Sequence, residues 1–359
     1  MSPRFFEIGF LMNTQVVLFG ATLLLASTTA ISPAAETKNL DLVLPTDNDA
    51  LFRGGGPEFY QYVDRDYNGE KSTPWEGGQY GFVRDPVETS AGLVYTRFHE
   101  GVDIRCLHRD ERGEPLDEVR AIADGKVVHT SVVPGYSNYG KYIVVEHEWD
   151  GCPYYSLYAH LSAIDVRNNQ TVSRGQHIGV MGYTGEAINQ ERAHLHLELN
   201  LMLSSRFEAW YNKFHRNDPN HHGKYNGMNL TGLNIARLYL DLHENPSLTI
   251  PQFLSKEEAF YKVATPKSRY FELPKRYPWM VQSEATAHVK SWEVSFTRSG
   301  FPIRIEPSDR EVKLPEITSV KNSTLNVYYL TNGMAAGSSA HPHLTGYGQL
   351  MMRLLIFPD

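Results

Sequence analysis

Two histidines separated by one residue, His194 and His196, interrupt the apolar alternation of AHLHLEL, residues 193–199. Imidazoles at this spacing admit three readings: ordinary strand residues, two metal ligands, or one ligand and one acid–base group. In a strand, alternate side chains share a face. His194, His196 and Glu198 would then point one way, and Leu195, Leu197 and Leu199 the other. Two further stretches bear on the choice. RFHEGVDIRC sets His99 and Asp103 four residues apart, with Gly101 between them allowing a tight backbone path, and YYSLYAHLS carries His160. There the alternation puts Tyr154, Ser156, Tyr158 and His160 on one face, and Leu157, Ala159 and Leu161 on the other. One His/Asp pair, one His-x-His and one lone His are enough for a zinc enzyme. Three protein ligands leave a fourth coordination position for water, the arrangement expected of a catalytic rather than a structural zinc.

Strands must hold these groups. From about Gln79 to Ser205 short alternating or apolar runs recur: KVVHTSVV, YIVVEHEW, YYSLYAHL, HIGVMGY and HLHLELN. They are separated by DG, PGYSNYG, WDGCP and SRGQ, the punctuation of antiparallel strands. Residues 36–78 are turn-rich and read as an ordered N-terminal extension leading into the first core strand. Beyond Phe207 the patterns mix. TGLNIARLYLDLH has helical periodicity, SKEE (Ser255 to Glu258) opens AFYKV with a capping-box pattern, and SWEVSFTRSGFPIRIEP and STLNVYYL read as strands. The expected class is mainly β: an antiparallel catalytic sheet in residues 79–205, with an additional C-terminal α+β region in residues 206–359.

The 359 residues, 41% hydrophobic and 21% charged, make an ordinary globular composition, and a net charge of -7 argues against nucleic acid as a partner. VVLFGATLLLA, residues 16–26, is too short to span a bilayer but fits the apolar core of a secretory signal, with small residues following in STTAISPAA. Residues 1–35 are therefore expected to be a signal peptide. The mature chain is expected in the periplasm, the cell envelope or outside the cell, with no stable membrane span. An oxidising compartment would allow Cys106 and Cys152 to pair, but two cysteines make no disulfide framework, and neither has a partner at zinc-ribbon spacing.

The ordered set HEGVD, YAHL and HLHLE resembles the M23 zinc metallopeptidases, the lysostaphin and LytM type of peptidoglycan endopeptidase. Their signature is HxxxD followed by HxH, with a YxHL histidine between. ADGKVV, SNYGKYIVVEH and VSRGQHIGVMGYTG also resemble family segments, so the likeness runs from about Gly81 to Leu199, around a third of the chain. Carried over motif by motif, the resemblance implies His99, Asp103 and His196 as ligands of one zinc ion, completed by water. It implies His160 and His194 as the catalytic pair. There is no HExxH, so the helix-borne glutamate base of other zinc peptidases is absent, and imidazoles would do the proton work. Such groups contribute typically ~10²–10⁴-fold.

Two stretches depart from the family pattern. IRCLHRDERGEPLDEVRAI, between HEGVD and ADGKV, is longer and more charged than the usual link. EAINQERA precedes HLHLE where relatives have a compact turn, and Ala193 replaces a proline. Both bear on the rim of the groove and on specificity. Of the remaining histidines, His341 and His343 form a second HxH without an acidic partner, His221 and His222 sit in a polar turn, and His147 and His177 lie outside the implied catalytic positions. Glu198 is a candidate acceptor for a ligand imidazole. Trp210, Tyr211, Trp279 and Trp292 are candidates for contacting glycan, with core packing the plainer use. The expected activity is hydrolysis of peptide bonds in peptidoglycan stems or cross-bridges. The alternatives are a non-catalytic LytM-like module that regulates another cell-wall hydrolase, and a zinc peptidase acting on a protein.

Overall fold

The computed structural model describes residues 39–283 and 289–359. The expected signal peptide lies outside the described residues. At the centre is a seven-stranded antiparallel sheet: β1 (Val102–Arg105), β2 (Gly125–Ser131), β3 (Tyr142–Trp149), β4 (Cys152–Ala159), β5 (Thr171–Val172), β6 (His194–Met202) and β7 (Leu230–Gly232). The order is β5-β2-β3-β4-β6, and the far side of β6 is shared. β1 pairs with its first half and β7 with its second. Turn chemistry is local and readable. β3 and β4 are joined by Asp150–Gly151 with φ of 51° and 69°, the left-handed pair that a two-residue hairpin needs.

The leucines of β6 behave as the alternation requires. Leu195, Leu197, Leu199 and Leu201 are fully buried in the main core with Ile143, Val145, Tyr154 and Tyr158. Burying such a side chain stabilises by about 1.5–3 kcal/mol. The opposite face is buried too. Tyr142, Val144, Tyr155, Leu157, Ala159, Met202 and Leu230 form a second cluster there, flanked by Tyr139 and Tyr225.

The chain on either side of the sheet is built into it. In the extension, Phe59 and Tyr60 are buried, Tyr60 bridges to Ile104, and the Gln61 N–H donates to the Asp103 carbonyl (2.8 Å). An antiparallel hairpin, Gly81–Thr89 with Gly92–His99, then delivers the chain to β1. Beyond Phe207, helices alternate with a four-stranded antiparallel sheet of Pro302–Ser308, Ser291–Phe296, Tyr261–Pro266 and Glu316–Val320. The Tyr277 hydroxyl accepts from the Met202 N–H (2.9 Å), and the Tyr239 hydroxyl donates to the Val43 carbonyl (2.6 Å). The class read from the sequence holds: mainly β, antiparallel, with α+β elements toward the C-terminus.

Several local readings need correction. SKEE does not open a helix: the capping box is Thr249 with Gln252, it starts the helix Ile250–Leu254, and Ser255 ends that helix. AFYKV leads into a strand instead. STLNVYYL is not a strand, because the Asn326 side chain accepts from the Tyr328 N–H and starts a short helix at Val327–Leu330. Trp210 and Tyr211 are buried and have the plainer use, and Trp279 and Trp292 are partly buried against the core. Cys106 and Cys152 are both buried and unpaired. No helix among the described residues is long and apolar enough to cross a membrane.

Candidate metal centre

Strand register brings the first three groups together. In the β1–β6 ladder Asp103 lies directly opposite His196. Gly101 allows that approach: a Cβ there would sit 2.5 Å from the Leu197 carbonyl oxygen and 2.9 Å from His196 Cε1. His99, at the end of the hairpin, closes a triangle. His99 Nε2 is 3.2 Å from Asp103 Oδ1 and 3.1 Å from His196 Nδ1, which is 2.9 Å from Asp103 Oδ1. These edges are close to the roughly 3.3 Å expected between ligands held ~2.0–2.1 Å from a tetrahedral zinc. Among the described residues this is the one group of three or more such side chains placed to hold a metal ion.

His194 and His160 stand beside the triangle. His194 Nε2 is 3.4 Å from Asp103 Oδ1, and the His160 ring centroid is 4.8 Å from that of His194 and 5.7 Å from that of His196. Simple alternation would have turned His160 away. Tyr154 and Tyr158, its expected face-mates, point into the main core, whereas Ala159 lies opposite His196 on the site face. β4 ends at Ala159, and His160 takes φ +63°, a left-handed conformation uncommon for a non-glycine residue. That break returns its ring to the site.

The outer partners assign the tautomers. His99 Nδ1–H donates to the Gln79 carbonyl (2.8 Å), His160 Nδ1–H to Thr184 (2.9 Å), and His194 Nδ1–H to Arg192 (2.7 Å). Each ring therefore keeps its lone pair on Nε2. His196 Nε2–H donates to Glu198 Oε1 (2.8 Å), which turns Nδ1 toward Asp103. Glu198 is fully buried and also accepts from the Tyr139 hydroxyl (2.7 Å) and Asn200 Nδ2 (2.8 Å). Arg84, from the hairpin, donates through Nη2 to Asp103 Oδ2 (2.6 Å) and through Nε to the Gly77 carbonyl (3.0 Å). Sequence reading missed Arg84, because nothing in VRDP marks it as a partner of HEGVD. It named Glu198 as an acceptor.

The electrostatics follow from burial and neighbours. Burial holds the His99 imidazole below its usual range, and burial together with the charges of His194 and His196 holds His160 well below it. Burial alone would raise the Asp103 carboxyl, but His99, His194 and Arg84 outweigh it and keep the group ionised. For His196 burial is outweighed by Asp103 and Glu198, and the ring is pushed up to about 10. A divalent cation would compete with that proton for Nδ1, since ligation needs the neutral ring. Two imidazole nitrogens and one carboxylate oxygen make a donor set that suits zinc.

The other histidines stay apart. His147 is buried between the Asp124 carbonyl (2.7 Å) and Ser156 Oγ (2.7 Å), a structural use. His341 and His343 are exposed on a small hairpin, and His177 pairs with Asp165 (2.7 Å) at the surface.

Residues 97–206 match the model of peptidase family M23. Among curated proteins, the chain is 46% identical over 76 residues to the peptidoglycan DD-endopeptidase ShyA of Vibrio cholerae, covering 21% of this chain and 16% of that one. It is 35% identical over 88 residues to lipoprotein NlpD of Yersinia enterocolitica, covering 24% of this chain and 78% of that one. Among solved structures, the catalytic domain of lysostaphin from Staphylococcus simulans is 30% identical, covers 33% of this chain and 76% of that chain, and superposes with a TM-score of 0.24. The match thus spans less than a fifth of the Vibrio protein's length. Together with the matched family model, the likeness over most of the Yersinia protein places this chain in peptidase family M23.

Proposed function

We propose that the chain is an exported zinc endopeptidase that hydrolyses peptide bonds in peptidoglycan stems or cross-bridges. The observation that carries the reading is the completeness of the centre. His99, Asp103 and His196 form a triangle of donor atoms of the size a zinc ion takes, and two further imidazoles with fixed tautomers stand beside it. In this reading the three hold zinc, with Glu198 and the Gln79 carbonyl orienting the two ligand rings. A bound zinc would supply Lewis acidity, ionising a water near neutral pH and polarising the scissile carbonyl. His160 and His194 handle protons at Nε2, because their Nδ1–H groups are committed to carbonyls. His194 Nε2 lies 3.4 Å from Asp103 Oδ1, which places it beside the proposed ligands. Arg84 neutralises the outer oxygen of Asp103 and leaves Oδ1 turned to the centre.

The substrate class is supported by the relative named as a peptidoglycan DD-endopeptidase. Relatives named as murein hydrolase activators, such as NlpD of Escherichia coli at 34% identity over 101 residues, favour a second reading, regulation of another wall hydrolase. Purified sacculi digested with the mature chain separate the two. Release of muropeptides with cleaved stems or cross-bridges, absent for His99→Ala, is expected. A wall left intact by the chain alone, but degraded faster by a partner hydrolase in its presence, supports the activator reading. An inert wall in both arms leaves a protein as the substrate to be sought.

A further inference from the structure

The two stretches that depart from the family pattern are docked on each other. The carbonyls that orient the proposed catalytic pair, Thr184 for His160 and Arg192 for His194, stand at the two ends of one loop. The body of that loop is most of EAINQERA, residues 186–193. It is gripped from outside by the charged stretch after β1. Arg109 Nη1–H donates to the Gln190 carbonyl (2.7 Å) and to the Gly113 carbonyl of its own loop (2.9 Å), and Nη2–H donates to the Glu191 carbonyl (3.0 Å). Glu114 Oε1 accepts from Gln190 Nε2 (2.7 Å) and from the Tyr183 hydroxyl (3.1 Å), so it holds the loop's first end as well. Gln190 Nε2 also donates to the Arg112 carbonyl (3.1 Å). Arg109 touches no ligand and neither histidine ring.

We propose that Arg109 is a positioning residue: its guanidinium clamps the Gln190 and Glu191 carbonyls so that the adjacent Arg192 carbonyl presents His194 in its working tautomer and orientation. The Thr184 end is held by its own hydroxyl, which donates to the Leu161 carbonyl (2.8 Å) and accepts from the Lys141 N–H (3.0 Å). The planar fork explains the choice of arginine. It reaches the carbonyls of two successive residues at once, which a lysine ammonium on a flexible stem cannot reproduce. The clamp acts on His194 and not on the metal triangle, because no carbonyl of this loop hydrogen-bonds His99, Asp103 or His196. The catalytic consequence rests on the endopeptidase reading, whereas the positional claim stands apart from it.

The test compares the full mature chain with Arg109→Ala, Arg109→Lys and Glu114→Ala. Long-range ¹H–¹⁵N spectra of the imidazoles report the Nδ1–H tautomers of His160 and His194 without any substrate. In Arg109→Ala the expected result is loss of a fixed tautomer at His194 and unchanged signals from His160, His99 and His196. Zinc content after dialysis should equal that of the wild type. On sacculi kcat should fall about 10- to 100-fold with little change in KM, the scale of a small misplacement of reacting groups. Arg109→Lys should lie between, and Glu114→Ala should not add fully to Arg109→Ala. An unaltered His194 signal in Arg109→Ala would overturn the proposal, as would loss of zinc from that variant. If the wild type is inert on sacculi, the endopeptidase reading fails, and the imidazole spectra still decide the role of Arg109.

Discussion

His196 and His194 lie two residues apart on β6, yet they are held by different kinds of partner. His196 sits between two side-chain carboxylates, Asp103 and Glu198. His194, like His160, is held at Nδ1 by a main-chain carbonyl of the 184–192 loop. The difference is chemical. A carboxylate adds negative charge that helps retain a cation, and it also stabilises a resident proton. A carbonyl fixes the tautomer without adding a charge and leaves the lone pair on Nε2. The contrast is between these two neighbours and is no rule for every ligand, since His99 is also backed by a carbonyl, that of Gln79.

The largest break in this comparison is expected from the triangle. His99→Ala, Asp103→Ala or His196→Ala should abolish stoichiometric zinc, read by metal analysis, and with it hydrolysis. Replacing the other side of the comparison, His160→Ala should keep the metal and lower turnover by about 10²–10⁴-fold. Retained turnover there would remove His160 from the pair. Glu198→Gln leaves an acceptor behind His196 but removes the charge. Chelator competition should report zinc affinity weakened about 10–100-fold, and unchanged affinity would erase the distinction between carboxylate and carbonyl support. Gly101→Ala acts on the ladder that aligns the triangle. Its new Cβ meets the Leu197 carbonyl oxygen at 2.5 Å, and denaturant unfolding should show a loss of roughly 1–3 kcal/mol. The smallest effect belongs to the thiols. Burial, then Asp117, pushes the Cys106 thiol up to about 12, and no disulfide ties it to Cys152. A reductant should leave zinc content and Tm unchanged, and alkylation of the native protein near neutral pH should be slow.

Much of the triangle was legible in the sequence. Alternation in HLHLEL separates the leucines from the polar face, and the likeness of HEGVD and HLHLE to family motifs implies His99, Asp103 and His196 as a set. The pairing of Asp103 with His196 is visible only in the strand register. The rest depends on geometry that composition does not carry. His160 joins the site because β4 ends at Ala159 and φ turns positive, which alternation cannot foresee. Arg84 reaches Asp103 across the hairpin, and the Gln79, Thr184 and Arg192 carbonyls have no residue-type signature at all. The departures from the family pattern were visible separately, but their docking through Arg109 was not. At the fold level, SKEE had the letters of a capping box, while Thr249 and Gln252 form the real one. Tyrosines and β-branched residues in STLNVYYL suggest a strand, but the Asn326 cap wins locally.

The proposed division of labour along HLH is tested most directly by metal analysis of His194→Ala beside His196→Ala, each purified as the full chain and dialysed against metal-free buffer. One zinc retained by His194→Ala and none by His196→Ala is the predicted result. Zinc lost from His194→Ala, or kept by His196→Ala, would contradict it.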